Sequence, residues 1–192
     1  MTRDDLLTQP LDTFVDHLAA PSGGLAAGAA AAGVVAMSAG LIAMAARASN
    51  GSWPDAGGAA AQAEALRARA LALAREDADA FEQAALELHA RGDGASGKDA
   101  ALAVKLDRAA DAPLEIVRAA ADAATLAADT ALRCDPDHRA DAVVACTLAE
   151  GAAVAAAHLV EVNLKVTGKD PRLRESRELV KSTGESVARS RA

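Results

Sequence analysis

Asp77 stands inside an apolar line. Leu66, Ala70, Leu73, Asp77, Phe81, Ala84 and Leu88 follow one another at steps of three and four, the spacing of one helix face. Glu76, Asp79 and Glu82 fall off that line. A carboxylate turned toward a core must be hydrogen-bonded or paired, or it holds its proton. A carboxyl group that keeps its proton toward neutral pH suits a general acid or base. A buried structural ion pair would give the same pattern.

A second acid, Asp141, opens another apolar segment and shares one side with Ala145, Leu148, Ala152, Leu159 and Asn163 at about 100° per residue. Asp141 also lies in the first turn, where the helix dipole favours negative charge without any catalytic role. Asn163 reads either as a substrate contact or as a core amide tying two helices together. A straight helix puts ~33 Å between Asp141 and Asn163, at ~1.5 Å per residue. They cannot both reach one reacting carbon from the same chain. Either one of them is structural, or the site combines residues from different chains.

Pro21-Ser22-Gly23-Gly24 forms a turn ahead of a helical segment. Free backbone N–H groups at such a helix start suit an anion or a developing oxyanion, although a plain tight turn needs the same residues. Cys134, His138 and Cys146 offer no closing ligand pair, so no metal is expected. Two cysteines make no disulfide framework and point to a reducing compartment. Met1-Thr2-Arg3-Asp4-Asp5 carries no signal-peptide pattern, and a cytoplasmic location is the expectation.

The elements that must position these groups are helices. Of 192 residues, 52% are hydrophobic and only 2% aromatic, with alanine runs throughout, so helix material abounds and strand material is scarce. A first helix is expected over Leu11 to Ala20 and a second from about Leu25 to Ala48. In the second, Val34, Met37, Leu41 and Met44 form a bulky line expected to fill space, beside small residues that allow close backbone contact. Its run without charge until Arg47 is long enough to cross a bilayer, but alanine and glycine drive insertion weakly. A buried central helix is expected, and no membrane.

Trp53 and Pro54 read as a surface anchor in a loop, followed by a long helix over Ala56 to Ala90. A short helix is expected around Asp99 to Ala109. Asp111 and Pro113 start another that reaches about Leu132, and a turn over Cys134 to His138 leads into a helix over Ala140 to about Lys165. The last stretch, from Arg172, reads as a charged helix fading into a polar tail from about residue 183. The expected fold is one all-α domain over residues 1–192, an Ala-rich bundle of about six or seven helices with a long central helical hairpin. A net charge of −7 and the lack of aromatic platforms argue against nucleic acid as a partner.

In order along the chain, several segments resemble the cyclodeaminase/cyclohydrolase family, which comprises the C-terminal domain of formiminotransferase-cyclodeaminase and stand-alone methenyltetrahydrofolate cyclohydrolases. Thr13 to Ala19 resembles the family's opening helix. Pro21-Ser22-Gly23-Gly24 stands at its Gly-rich turn, and Asp77-Ala78-Asp79-Ala80-Phe81 at its Asp-x-x-Ala-aromatic segment. Ala112-Pro113-Leu114 is similar to a Val-Pro-Leu helix start, Asp141 to the Asp of a Ser-Asp pair, and Val162-Asn163-Leu164 to the end of the same helix. Ser22 replaces a glycine, Leu25 and Ala140 replace serines, and Leu159 stands where the family has an Asn. The basic and aromatic cluster of the family is missing between Arg47 and Gly58.

The resemblance implies a cytoplasmic homodimer with a folate in a groove between helices and no cofactor beyond the tetrahydrofolate substrate. The implied chemistry is hydrolysis of 5,10-methenyltetrahydrofolate or release of ammonia from 5-formiminotetrahydrofolate. Asp77 or Asp141 would move the proton, and Pro21, Ser22, Gly23, Gly24 and Asn163 would bind substrate. The replaced positions leave open a second role, a folate-binding or structural module without turnover.

Overall fold

The computed structural model describes residues 9–20, 27–164 apart from 91–108, and 170–192, with the backbone alone for 80–90. Among them are six α-helices and no strand: α1 (Leu11–Ala19), α2 (Ala27–Ala48), α3 (Ala56–Ala90), α4 (Asp111–Arg133), α5 (Arg139–Leu164) and α6 (Pro171–Ser190). A single 3₁₀ turn, Pro136–His138, joins α4 to α5. The all-α bundle and the long hairpin of α2 and α3 stand as expected. The segment expected as a short helix around Asp99 lies almost wholly outside the described residues.

Alanine sets the architecture because it lets helix axes approach closely while losing no side-chain entropy. Ala29, Ala32, Ala36, Ala63, Ala70, Ala120, Ala124, Ala127, Ala145, Ala149 and Ala153 are buried in one core shared by α2 to α5. α2 and α3 run antiparallel: Asp77 lies against the start of α2, while Ala46 near its end packs with Trp53, Ala56 and Ala60. α4 and α5 form a second hairpin, closed at the far end where the Asn163 side chain donates to the Ala109 carbonyl at 2.9 Å. Between the hairpins, the Ser38 hydroxyl of α2 donates to the Ala145 carbonyl of α5 at 2.8 Å. Such a bond satisfies a hydroxyl that would otherwise be costly to bury.

Three expectations are corrected. On α2 the bulky line does not fill the core: Met37 and Met44 are exposed, and Val34 and Leu41 are only half-buried. The buried face of α2 carries Val35 and Ile42 among its alanines instead, and the line through Met37 and Met44 lies on another face of the helix. Trp53 is no surface anchor; it is 7% exposed and plugs the α2–α3 turn against four alanines. Finally, the stretch from residue 183 is no tail. α6 continues to Ser190, with Thr183, Ser186, Val187 and Ser190 buried. The hydroxyls of Ser176, Thr183 and Ser190 donate to the carbonyls of Leu173, Val180 and Val187, so these small polar residues pack almost as alanine does.

Charge pairs fix α6 in place. Arg118 on α4 pairs with Glu175, Arg189 pairs with Asp129 at 2.8 Å, and Arg177 pairs with Glu161 of α5 at 2.9 Å. The order of the two α4 pairs makes α6 parallel to α4, and so antiparallel to α5, the other arm of that hairpin. Two segments, Ala27–Ala48 and Pro136–Leu164, are long and apolar enough to cross a membrane, and 61% of the α2 window is buried inside the bundle.

Candidate active site

Asp77 is buried, with 8% of its surface exposed. The register that buries Ala70, Leu73 and Ala74 on α3 also turns Asp77 toward α2, as its place in the apolar stripe predicts. It meets the first described turn of that helix. There Gly28 presents no side chain, and the carboxylate lies against the backbone where a Cβ would stand. The Ala29 amide donates a hydrogen bond to it. α2 has no acid in its own first turn, so Asp77 of α3 supplies the negative charge that a helix N-terminus favours.

Two opposing effects act on the Asp77 proton. Burial pushes its carboxyl group above the usual carboxylate range, and the Ala29 amide pulls it partly back. Burial is the larger effect. Oδ2 is buried without a hydrogen-bond partner among the described residues. A carboxyl group in this state has one oxygen seated on a helix N-terminus and the other available to take or give a proton.

Asp141 is placed elsewhere. It opens α5, its side chain is 45% exposed, and its Oδ2 lies 3.9 Å from Nδ1 of the His138 ring. The adjoining Ala142 packs with Ala45 and Ala131, near the C-terminal end of α2. Asp77 sits at the other end of that helix. Sixteen or seventeen residues of α2 separate the two levels, on the order of 25 Å at ~1.5 Å per residue. The two acids therefore line no shared cleft within one chain. What Asp141 does there follows from its position: it completes the dipole at the start of α5.

Asn163 lies toward the same end of the bundle as Asp77. Its amide is taken up by the Ala109 carbonyl, which makes it a tie between the end of α5 and the approach to α4. Since α5 runs unbroken from Arg139 to Leu164, Asp141 and Asn163 stand at opposite ends of one rod. The Pro21, Ser22, Gly23 and Gly24 turn lies outside the described residues. Gly28 and Ala29 had no signal of their own in the sequence; only their position on a helix start facing the Asp77 stripe could have marked them.

A groove of about 380 Å³ opens between α1, α2 and α3, lined by Leu11, Phe14, Met37 and Leu71 with Gln9 and Arg67. Its α2 residues Gly33, Ala36, Met37 and Gly40 lie roughly 80–180° around the helix from Gly28 at 100° per residue. The groove and the Asp77 carboxylate thus face different sides of α2.

Comparison with known proteins agrees with this architecture. The crystal structure of formiminotetrahydrofolate cyclodeaminase from Thermotoga maritima superposes with a TM-score of 0.77 at 21% identity, covering 95% of both chains. No curated protein matches the sequence. The family described as formiminotransferase-cyclodeaminase matches residues 10–180. With nearly the whole helical bundle inside that match, the chain belongs to the formiminotransferase-cyclodeaminase family.

Proposed function

We propose that this protein acts on the one-carbon unit of a tetrahydrofolate, as a 5,10-methenyltetrahydrofolate cyclohydrolase, a 5-formiminotetrahydrofolate cyclodeaminase, or both. The observation that carries the reading is the buried Asp77 carboxyl group, held above its ordinary proton affinity, with one oxygen free of partners among the described residues. In hydrolysis, water adds to the methenyl carbon and loses a proton to Asp77. The carbon–N5 bond then breaks as N5 receives that proton and the carbinol hydroxyl releases its own to solvent, leaving the formyl group on N10. In deamination, N10 attacks the carbon of the protonated formimino group and Asp77 relays the N10 proton to the departing nitrogen, which leaves as ammonia and leaves the 5,10-methenyl cation. Both routes need one group that takes a proton and returns it. A carboxyl group raised by burial suits both halves of that task.

Substrate binding falls to the Pro21 to Gly24 turn, which ends four residues before Gly28 in the sequence. Asp141 and Asn163 are given structural roles. The protein is read as a cytoplasmic homodimer without a cofactor. An uncharged stripe of Val144, Thr147, Gly151, Val154, His158 and Val162 along the exposed side of α5, at steps of three and four, suits helix pairing with a second copy.

The test is direct. Purified protein is mixed with 5,10-methenyltetrahydrofolate while its absorbance is followed, and separately with 5-formiminotetrahydrofolate while ammonia is measured. Turnover of either substrate supports the enzyme. Saturable binding without turnover supports the alternative, a folate-binding module that has lost its chemistry. Neither binding nor turnover would remove the folate reading.

A further inference from the structure

Resting on the reading of Asp77 as the proton-transfer group, we infer that Gly28 is its positioning residue: the missing side chain at Gly28 is the space in which the Asp77 carboxylate sits. A Cβ placed on Gly28 would overlap Oδ1, Cγ and Oδ2 of Asp77, all far inside van der Waals contact. The other two glycines of α2 behave differently. Among the described residues, neither Gly33 nor Gly40 has an atom within 4 Å of an added Cβ, so of the three only Gly28 meets a neighbour there.

Glycine is the weaker helix former, and alanine fills most of α2. Its use at this one crowded position has a cost that a carboxylate packed on the backbone explains. With a methyl group there, the carboxylate must leave the Ala29 amide, either toward solvent or by forcing α2 and α3 apart. Among the described residues, burial and the Ala29 amide are the two causes that shift the Asp77 proton affinity, with no charged side chain beside them. Gly28 controls both.

The experiment compares four full-length proteins: wild type, Gly28→Ala, Asp77→Ala and the double variant. Thermal melts come first. Positioning predicts that Gly28→Ala lowers Tm in the wild-type background, and raises it or leaves it unchanged once Asp77 is alanine. The same loss in both backgrounds would overturn the inference, since the Cβ would then be meeting something else. If Gly28→Ala does not fold, the double variant is expected to fold; a double variant that also fails overturns it equally.

The second readout is the Asp77 carboxyl ¹³C titration. Its midpoint is expected to move down in Gly28→Ala as the carboxylate is pushed out of its seat. An unmoved midpoint counts against positioning. Neither readout depends on turnover. A protein that passes both but converts neither tetrahydrofolate loses the functional reading and keeps this one. In an active protein, Gly28→Ala is expected to lower kcat with KM nearly unchanged.

Discussion

The Asp77 carboxylate of α3 occupies the place where a side chain of Gly28 on α2 would stand, and through that contact one helix supplies the charge that the start of the other lacks. The arrangement is local, yet it ties the chemistry of the carboxyl group to the packing of the central hairpin. Any change in the α2–α3 spacing changes how far Asp77 is removed from water, and so how tightly it holds its proton.

A pH dependence of stability follows. Burial raises the Asp77 pKa in the folded protein above its unfolded value, so the folded state binds this proton more tightly. The stability from this group is fully present below the unfolded pKa and is lost as pH rises through the folded one. Asp77→Asn mimics the protonated form. Its Tm is expected to exceed wild type at pH 7, by an amount on the order of 1–3 kcal/mol in stability, and the gap is expected to close near pH 4. Parallel melts across that range are the check; a gap that is constant with pH would contradict the buried, raised carboxyl.

For Asp141 the expectation is modest. The side chain is half-exposed at the start of α5, so Asp141→Asn removes a screened dipole interaction of about 0.5 kcal/mol. Turnover should stay close to wild type, because ~25 Å of helix separates it from Asp77. Kinetics of this variant alone test whether the far end of the bundle takes part.

Asn163→Ala breaks the tie to the Ala109 carbonyl. Leaving that half-buried acceptor without its partner is expected to cost about 1–2 kcal/mol. Urea unfolding measures it. If Asn163 serves only as a tie, kcat per folded molecule is unchanged.

Thr183 tests the end of the chain. It is fully buried between α6 and the bundle, so Thr183→Glu is expected to lose at least about 2 kcal/mol through a buried, unpaired charge. A frayed polar tail would tolerate the change without any shift in Tm.

Much of this fold is legible in the sequence because alanine has so few other uses. The long helix over Ala56 to Ala90 and the turn at Pro136 to His138 follow from runs of strong helix formers broken by Gly, Pro and Asp. The inward acid at 77 follows from helical spacing alone. What misleads is the assumption that larger apolar side chains go inside. Met37 and Met44 lie outside while Val35 and Ile42 of the same helix are buried, and hydroxyls bonded to their own helix, as at Thr183 and Ser190, take inner places. Asp141 is half-exposed for a related reason: sharing a helix side with Ala145 and Ala152 says little about the first turn, where the helix is only beginning to pack on its neighbours. The Gly28 contact was invisible because it joins residues 49 apart.

The most direct measurement is the single-turnover rate on saturating 5,10-methenyltetrahydrofolate, or on 5-formiminotetrahydrofolate if that is the substrate, for wild type and Asp77→Asn. The account predicts a slower chemical step in the variant by about 10²–10⁴-fold, the usual share of a general acid–base group, with the fold and substrate binding retained. An Asp77→Asn protein that turns over at the wild-type rate would contradict it.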